Sequence, residues 1–152
     1  MIIEIALNKS DREFEMKKIV LILFAVTVCV IGFAAERHVY RDSSGRVSVS
    51  ATQQNGRTVY RDSSGRITGT ATQQGSRTVY RDSSGRVSVS AVQQGGRTVY
   101  RDASGRVTGT STKQGNQTVY RDASGRVKYR STQQGGRTVF RDSSGRIIMQ
   151  KN

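Results

Sequence analysis

Six copies of one twenty-residue unit, with no insertion or deletion between them, constrain this chain more than any other feature. The core Tyr-Arg-Asp-Ser-Ser-Gly-Arg, or a close variant, starts at Tyr40, Tyr60, Tyr80, Tyr100, Tyr120 and Phe140. A strict period of this length means one supersecondary unit written repeatedly, each copy stabilised by its neighbours. The unit itself is rich in Thr, Val, Ser and Tyr, and the chain contains no Pro. Those residues favour strands and disfavour a helix, because β-branched and Ser/Gly positions fill almost every place.

Each copy carries two turn signals. The first is Asp-Ser-Ser-Gly or Asp-Ala-Ser-Gly, with turn residues Asp42 and Gly45, Asp62 and Gly65, Asp82 and Gly85, Asp102 and Gly105, Asp122 and Gly125, and Asp142 and Gly145. The Asp side chain can accept hydrogen bonds from turn amides, and the Gly supplies the positive φ of a bulged hairpin. The second signal is a dipeptide after the Gln pair: Asn55-Gly56, Gly75-Ser76, Gly95-Gly96, Gly115-Asn116 and Gly135-Gly136. These are tight-hairpin dipeptides. Each copy therefore reads strand, turn, strand, turn, and the expected fold is all-β: six hairpin repeats over 36–152.

Parity restricts how the copies join. A three-residue first loop combined with a strict two-residue second loop would put Val59 and Val79 on opposite faces of one sheet, since side chains alternate along a strand. Two arrangements avoid this. The second loop can hold three or five residues, giving an extended antiparallel meander. Alternatively the copies stack as a β-solenoid, with equivalent residues about 4.8 Å apart. Solenoid stacking would align like-charged arginines directly opposite one another, which destabilises a sheet, so the meander is the expected form.

Ahead of the repeats the composition changes. Residues 16–35 run from Met16-Lys17-Lys18 through the apolar stretch "IVLILFAVTVCVIGFAA". A basic start, an apolar middle and small residues at Gly32 and Ala34 form the pattern of a signal peptide, expected as a helix and cleaved before Ala35. Residues 1–15 carry four acidic side chains where a basic segment is expected, and read as an over-extended start. The lone Cys29 lies inside the signal. The exported chain then contains no disulfide or thiolate metal site. Its expected setting is secreted, periplasmic or cell-surface.

The charge is concentrated in the repeats. The first 34 residues hold four basic and four acidic groups, so the whole net charge of +14 belongs to the remainder. Most of it is arginine in three columns. The first holds Arg57, Arg77, Arg97 and Arg137; the second Arg61, Arg81, Arg101, Arg121 and Arg141; the third Arg66, Arg86, Arg106, Arg126 and Arg146. Guanidinium forks suit phosphate, sulfate and carboxylate groups. Tyr60, Tyr80, Tyr100 and Tyr120 interleave with them and are candidates to stack on a base or sugar. These residues form the expected polyanion-binding set. Catalysis has little support, since six equivalent Asp–Arg pairs form six similar surfaces rather than one differentiated pocket. One carboxylate per turn is also too few for calcium. No enzyme activity, cofactor, metal or small-molecule substrate is expected.

The element Asp-x-x-Gly-Arg-Val/Ile, with Tyr upstream as in "GRTVYRDSSGRV", resembles the YD repeats of the RHS family over residues 36 to 147. That resemblance implies β-hairpin sheets and a cell-surface setting. The strand-turn-strand plan with Gln near one turn is similar in architecture alone to curli-type secreted subunits. Two functions follow as expectations. The first is a secreted structural or matrix protein that assembles with itself as an oligomer or fibre. The second is a cationic module for an anionic polymer such as nucleic acid, lipopolysaccharide or acidic polysaccharide, or for the cell envelope.

Overall fold

The computed structural model describes residues 36–151 as twelve strands; the segments 1–15 and 16–35, with the expected signal helix, lie outside the described residues. The strands are β1 Glu36–Asp42, β2 Val47–Gln54, β3 Arg57–Asp62, β4 Ile67–Gln74, β5 Arg77–Asp82, β6 Val87–Gln94, β7 Arg97–Asp102, β8 Val107–Gln114, β9 Gln117–Asp122, β10 Val127–Gln134, β11 Arg137–Asp142 and β12 Ile147–Lys151. Each strand pairs antiparallel with the next in sequence, as hairpins require. The sheet does not stay open. β1 pairs with β12 through Tyr40–Lys151, Arg41–Gln150 and Asp42–Met149, giving a closed barrel. The extended open meander and the solenoid are both corrected by this closure.

The parity problem is solved in a way the turn residues do not announce. The second loops are strict two-residue turns, with Gln54 opposite Arg57 and Gln74 opposite Arg77. They are not lengthened to three or five residues. Instead each first hairpin contains a bulge. Arg61 faces Ile67, but Tyr60 faces Gly69, so one extra residue of β4 has no partner of its own. The same shift recurs in all six copies. The extra residue flips the face of everything beyond it, which returns every copy to the same orientation.

Bulge and turn also set the barrel's shape. A path perpendicular to the strands runs from Tyr40 through Val49 to Asp62, two positions past Tyr60, the equivalent of Tyr40. Every copy thus staggers the register by the same small step, and six steps tilt the strands enough to close the cylinder. Closure buries the one apolar face of a chain too poor in aliphatics for an open sheet, and it removes the strand edges.

The inner wall is built from three rings. Tyr40, Tyr60, Tyr80, Tyr100, Tyr120 and Phe140 form the aromatic ring, all buried. Ala51, Ala71, Ala91, Ser111 and Ser131 lie beside them. The third ring mixes Val49, Gly69, Val89, Gly109, Tyr129 and Met149. Glycine is required at two of these places by backbone approach. A Cβ at Gly69 would lie 2.5 Å from the Arg81 carbonyl oxygen, and one at Gly109 would lie 2.5 Å from that of Arg121. The bulge turns Val47, Ile67 and Val107 outward, where they are exposed although the chain's alternation assigns Val47 to the same face as Val49.

Candidate anion-binding surface

The Asp-Ser-Ser-Gly turns are rigid units made from local chemistry. In the second copy, Asp62 Oδ1 accepts from the Ser64 amide at 2.9 Å, the Ser64 hydroxyl at 2.6 Å and the Arg66 amide at 3.0 Å. The same three bonds recur at Asp42, Asp82, Asp102, Asp122 and Asp142. The serine hydroxyl above all, then the turn amides, hold these carboxyls below the usual carboxylate range, Asp62 at about 2. Gly45, Gly65, Gly85, Gly105, Gly125 and Gly145 all have φ between 82° and 88°, a region that side chains with a Cβ rarely enter.

The three arginine columns do different work. Arg61, Arg81, Arg101, Arg121 and Arg141, with Arg41, each donate one Nη to the carbonyl of the turn glycine four residues on, at 2.9–3.1 Å. One nitrogen of each guanidinium is thereby tied to the turn, and all six arginines remain exposed. In the third column, Arg66 pairs with Asp62 at 3.1 Å and Arg146 with Asp142 at 3.3 Å, both at strongly exposed positions. Such exposed pairs contribute little to stability, about 0–1 kcal/mol. Arg46, Arg86, Arg106 and Arg126 occupy the same place in the other copies. The first column, Arg57, Arg77, Arg97 and Arg137, is exposed at the opposite, Gln-Gly end of the barrel. The side chains of these four make no hydrogen bond or ion pair with described residues.

Tyr60, Tyr80, Tyr100 and Tyr120 are not on that surface. Their side chains are 3–5 % exposed and line the barrel interior, so they cannot stack on a ligand lying along the outer wall. Parity explains it: Arg61 and Arg57 share Val59's face, and Tyr60 has the other. Burial pushes the Tyr60, Tyr80, Tyr100 and Tyr120 phenols upward, so they remain neutral donors. The structure thus brings the arginines together on the outside and the tyrosines together on the inside. The columns alone do not reveal two further cations, Lys128 and Arg130, both exposed on β10. They stand out in the sequence only as departures, since the other copies carry Ser or Thr at those two places until β12.

No family model matches this chain, and no curated protein matches it. Among solved structures, a chain from the crystal structure of accessory secretory protein 1, 2 and 3 in Streptococcus pneumoniae aligns with a TM-score of 0.24 and 12 % identity. The alignment covers 67 % of this chain and 19 % of that one, and a likeness of this size carries no argument about fold or function.

Proposed function

We propose that this chain is an exported, cationic binding module for an acidic polysaccharide. The observation that carries the reading is the division of the barrel wall: arginines of all three columns outside, aromatic rings inside. A wall of guanidinium forks without stacking platforms suits a polymer recognised through its anionic groups rather than through its bases. Anchoring one donor of each Arg61-column side chain to its turn reduces the ordering cost of binding. The signal-like segment 16–35 supports an exported setting. Self-assembly through exposed strand edges loses its means in a barrel whose strands are paired on both sides.

The test is titration of the exported chain with heparin at several salt concentrations. The expected result is binding whose log K falls linearly with log salt, with a slope that reports the number of arginine contacts. Binding indifferent to salt, or none above background at low salt, would overturn the reading. Duplex DNA titrated in parallel should bind more weakly than heparin at matched ionic strength.

A further inference from the structure

The fifth copy breaks the outer pattern of the repeat. Where β2 and β6 read Ser-Val-Ser and β4 and β8 read Thr-Gly-Thr, β10 reads Lys128-Tyr129-Arg130. Tyr129 points inward and is buried, which leaves Lys128 and Arg130 outside, both exposed. Arg130 lies directly opposite Arg141 on β11. In the other hairpins the arginine of this column faces a small hydroxyl residue instead: Ser50 opposite Arg61, Thr70 opposite Arg81, Ser90 opposite Arg101 and Thr110 opposite Arg121. Directly opposed side chains start about 4.5–5.5 Å apart at Cβ, and like charges there are destabilising.

The surroundings do not neutralise the pair. Lys128 sits at the bulge beside Arg121 and reaches Asp122 at 3.8 Å. Asp122 is already engaged by Ser124 and the Arg126 amide. Across β9–β11 the wall therefore presents Arg121, Lys128, Arg130 and Arg141 around two carboxylates, Asp122 and Asp142, and Asp142 is likewise committed to Ser144 and Arg146. Arg121 and Arg141 are held by their turn carbonyls at 3.0 and 2.9 Å, which fixes the two guanidiniums.

We infer that this patch is the primary docking site for the polymer, with a tetrahedral oxyanion, sulfate or phosphate ester, bridging Arg130 and Arg141. The inference deepens the proposed polysaccharide reading and rests on it. Two adjacent guanidinium forks need a ligand with oxygens directed to both. A sulfate or phosphate ester provides three outer oxygens, whereas a carboxylate is satisfied by one fork. Lys128 and Arg121 then receive the next anionic group along the chain.

The experiment compares three forms of the full chain in heparin titrations at one salt concentration: wild type, Arg130→Ser and Arg77→Gln. Each substitution removes one charge, and each installs a residue the repeat already carries in that column, at Ser50 and Gln117. Arg77→Gln should melt with wild type, and Arg130→Ser at or slightly above it because the opposed like charges are gone, so an affinity loss in either variant is not a loss of fold. Arg130→Ser should weaken heparin binding about tenfold, the size of a lost charge-assisted contact. Arg77→Gln should weaken it about twofold through the general field. Equal losses would overturn the local site while leaving the module standing; no binding by wild type would overturn both. A carboxylate-only polyuronate should bind weakly and be insensitive to Arg130→Ser. If it bound as tightly as heparin with the same sensitivity, the tetrahedral oxyanion would be the wrong class. Preferential binding of DNA with the same sensitivity would overturn the polysaccharide as occupant.

Discussion

The second and third hairpins and the fourth and fifth hairpins contain the same buried tyrosine, yet its hydroxyl meets a different fate in each pair. Tyr60 and Tyr80 have hydroxyls with no hydrogen-bond partner among the described residues. Tyr100 reaches the Ser111 hydroxyl at 3.0 Å, and at Tyr120 the nearby Ser131 and Thr118 hydroxyls oppose part of the upward shift that burial imposes on the phenol. The difference is one column. Eleven residues after each tyrosine the early copies have Ala71 and Ala91, and the later copies have Ser111 and Ser131. The repeat fixes where the phenol goes; a single hydroxyl decides whether it is satisfied there.

The largest effect should come from deleting the phenol oxygen on either side of this divide. Tyr100→Phe strands the buried Ser111 hydroxyl and should cost about 1–3 kcal/mol in denaturant unfolding; Tyr120→Phe, which takes the phenol from beside Ser131, should cost less. Tyr60→Phe and Tyr80→Phe remove an unpartnered group and should be neutral or stabilising, with the native Phe140 as precedent. A uniform loss at all four positions would erase the comparison. The reciprocal change is smaller. Ala71→Ser and Ala91→Ser should each raise stability by about 0.5–1.5 kcal/mol by giving Tyr60 and Tyr80 the partner their counterparts have. No change in the unfolding midpoint would show that the early hydroxyls already have a partner.

Where a column is invariant, the two halves should behave alike. All six turn aspartates are held below the ordinary carboxylate range, first by the neighbouring serine hydroxyl. A carboxyl whose folded pKa is depressed adds stability above its unfolded pKa and loses it as pH falls through the folded one. For Asp62 that window runs from about 4 down to about 2. These groups are exposed, so the expected effect is small, and hydrogen exchange should show the Ser64 amide losing protection across that window and the Ser104 amide losing it likewise below the ordinary carboxylate range. Loss confined to one half would mean the turns are not equivalent.

Much of this was legible in the repeat. Gly65 and Asp62 announce their turn through residue type, and the dipeptide Asn55-Gly56 announces the other; both have the positive φ their identities imply. The bulge was not legible. Its extra residue, beside Ile67, is an ordinary strand residue, and its cause is the parity conflict between two loops rather than any local preference. Closure was hidden for a related reason: it depends on a two-residue stagger summed over six copies, which no single copy displays. The arginine columns could be read as columns. Their division into turn-anchored Arg61 and unpaired Arg57 needs the geometry of the Gly65 carbonyl. The placement of the tyrosines beside them followed from sequence adjacency and failed at the level of faces.

Everything above depends on the first strand meeting the last. Arg41 and Gln150 are directly opposed across that seam, 109 residues apart in the chain. Spin labels at Arg41→Cys and Gln150→Cys, in a chain carrying Cys29→Ser, report the gap by pulsed electron resonance. The closed barrel predicts one short distance, within about 15 Å once label linkers are added to a strand spacing of about 4.8 Å. A distance of about 50 Å, the width of an open twelve-stranded sheet, or about 25 Å, the height of a six-rung solenoid, would contradict it.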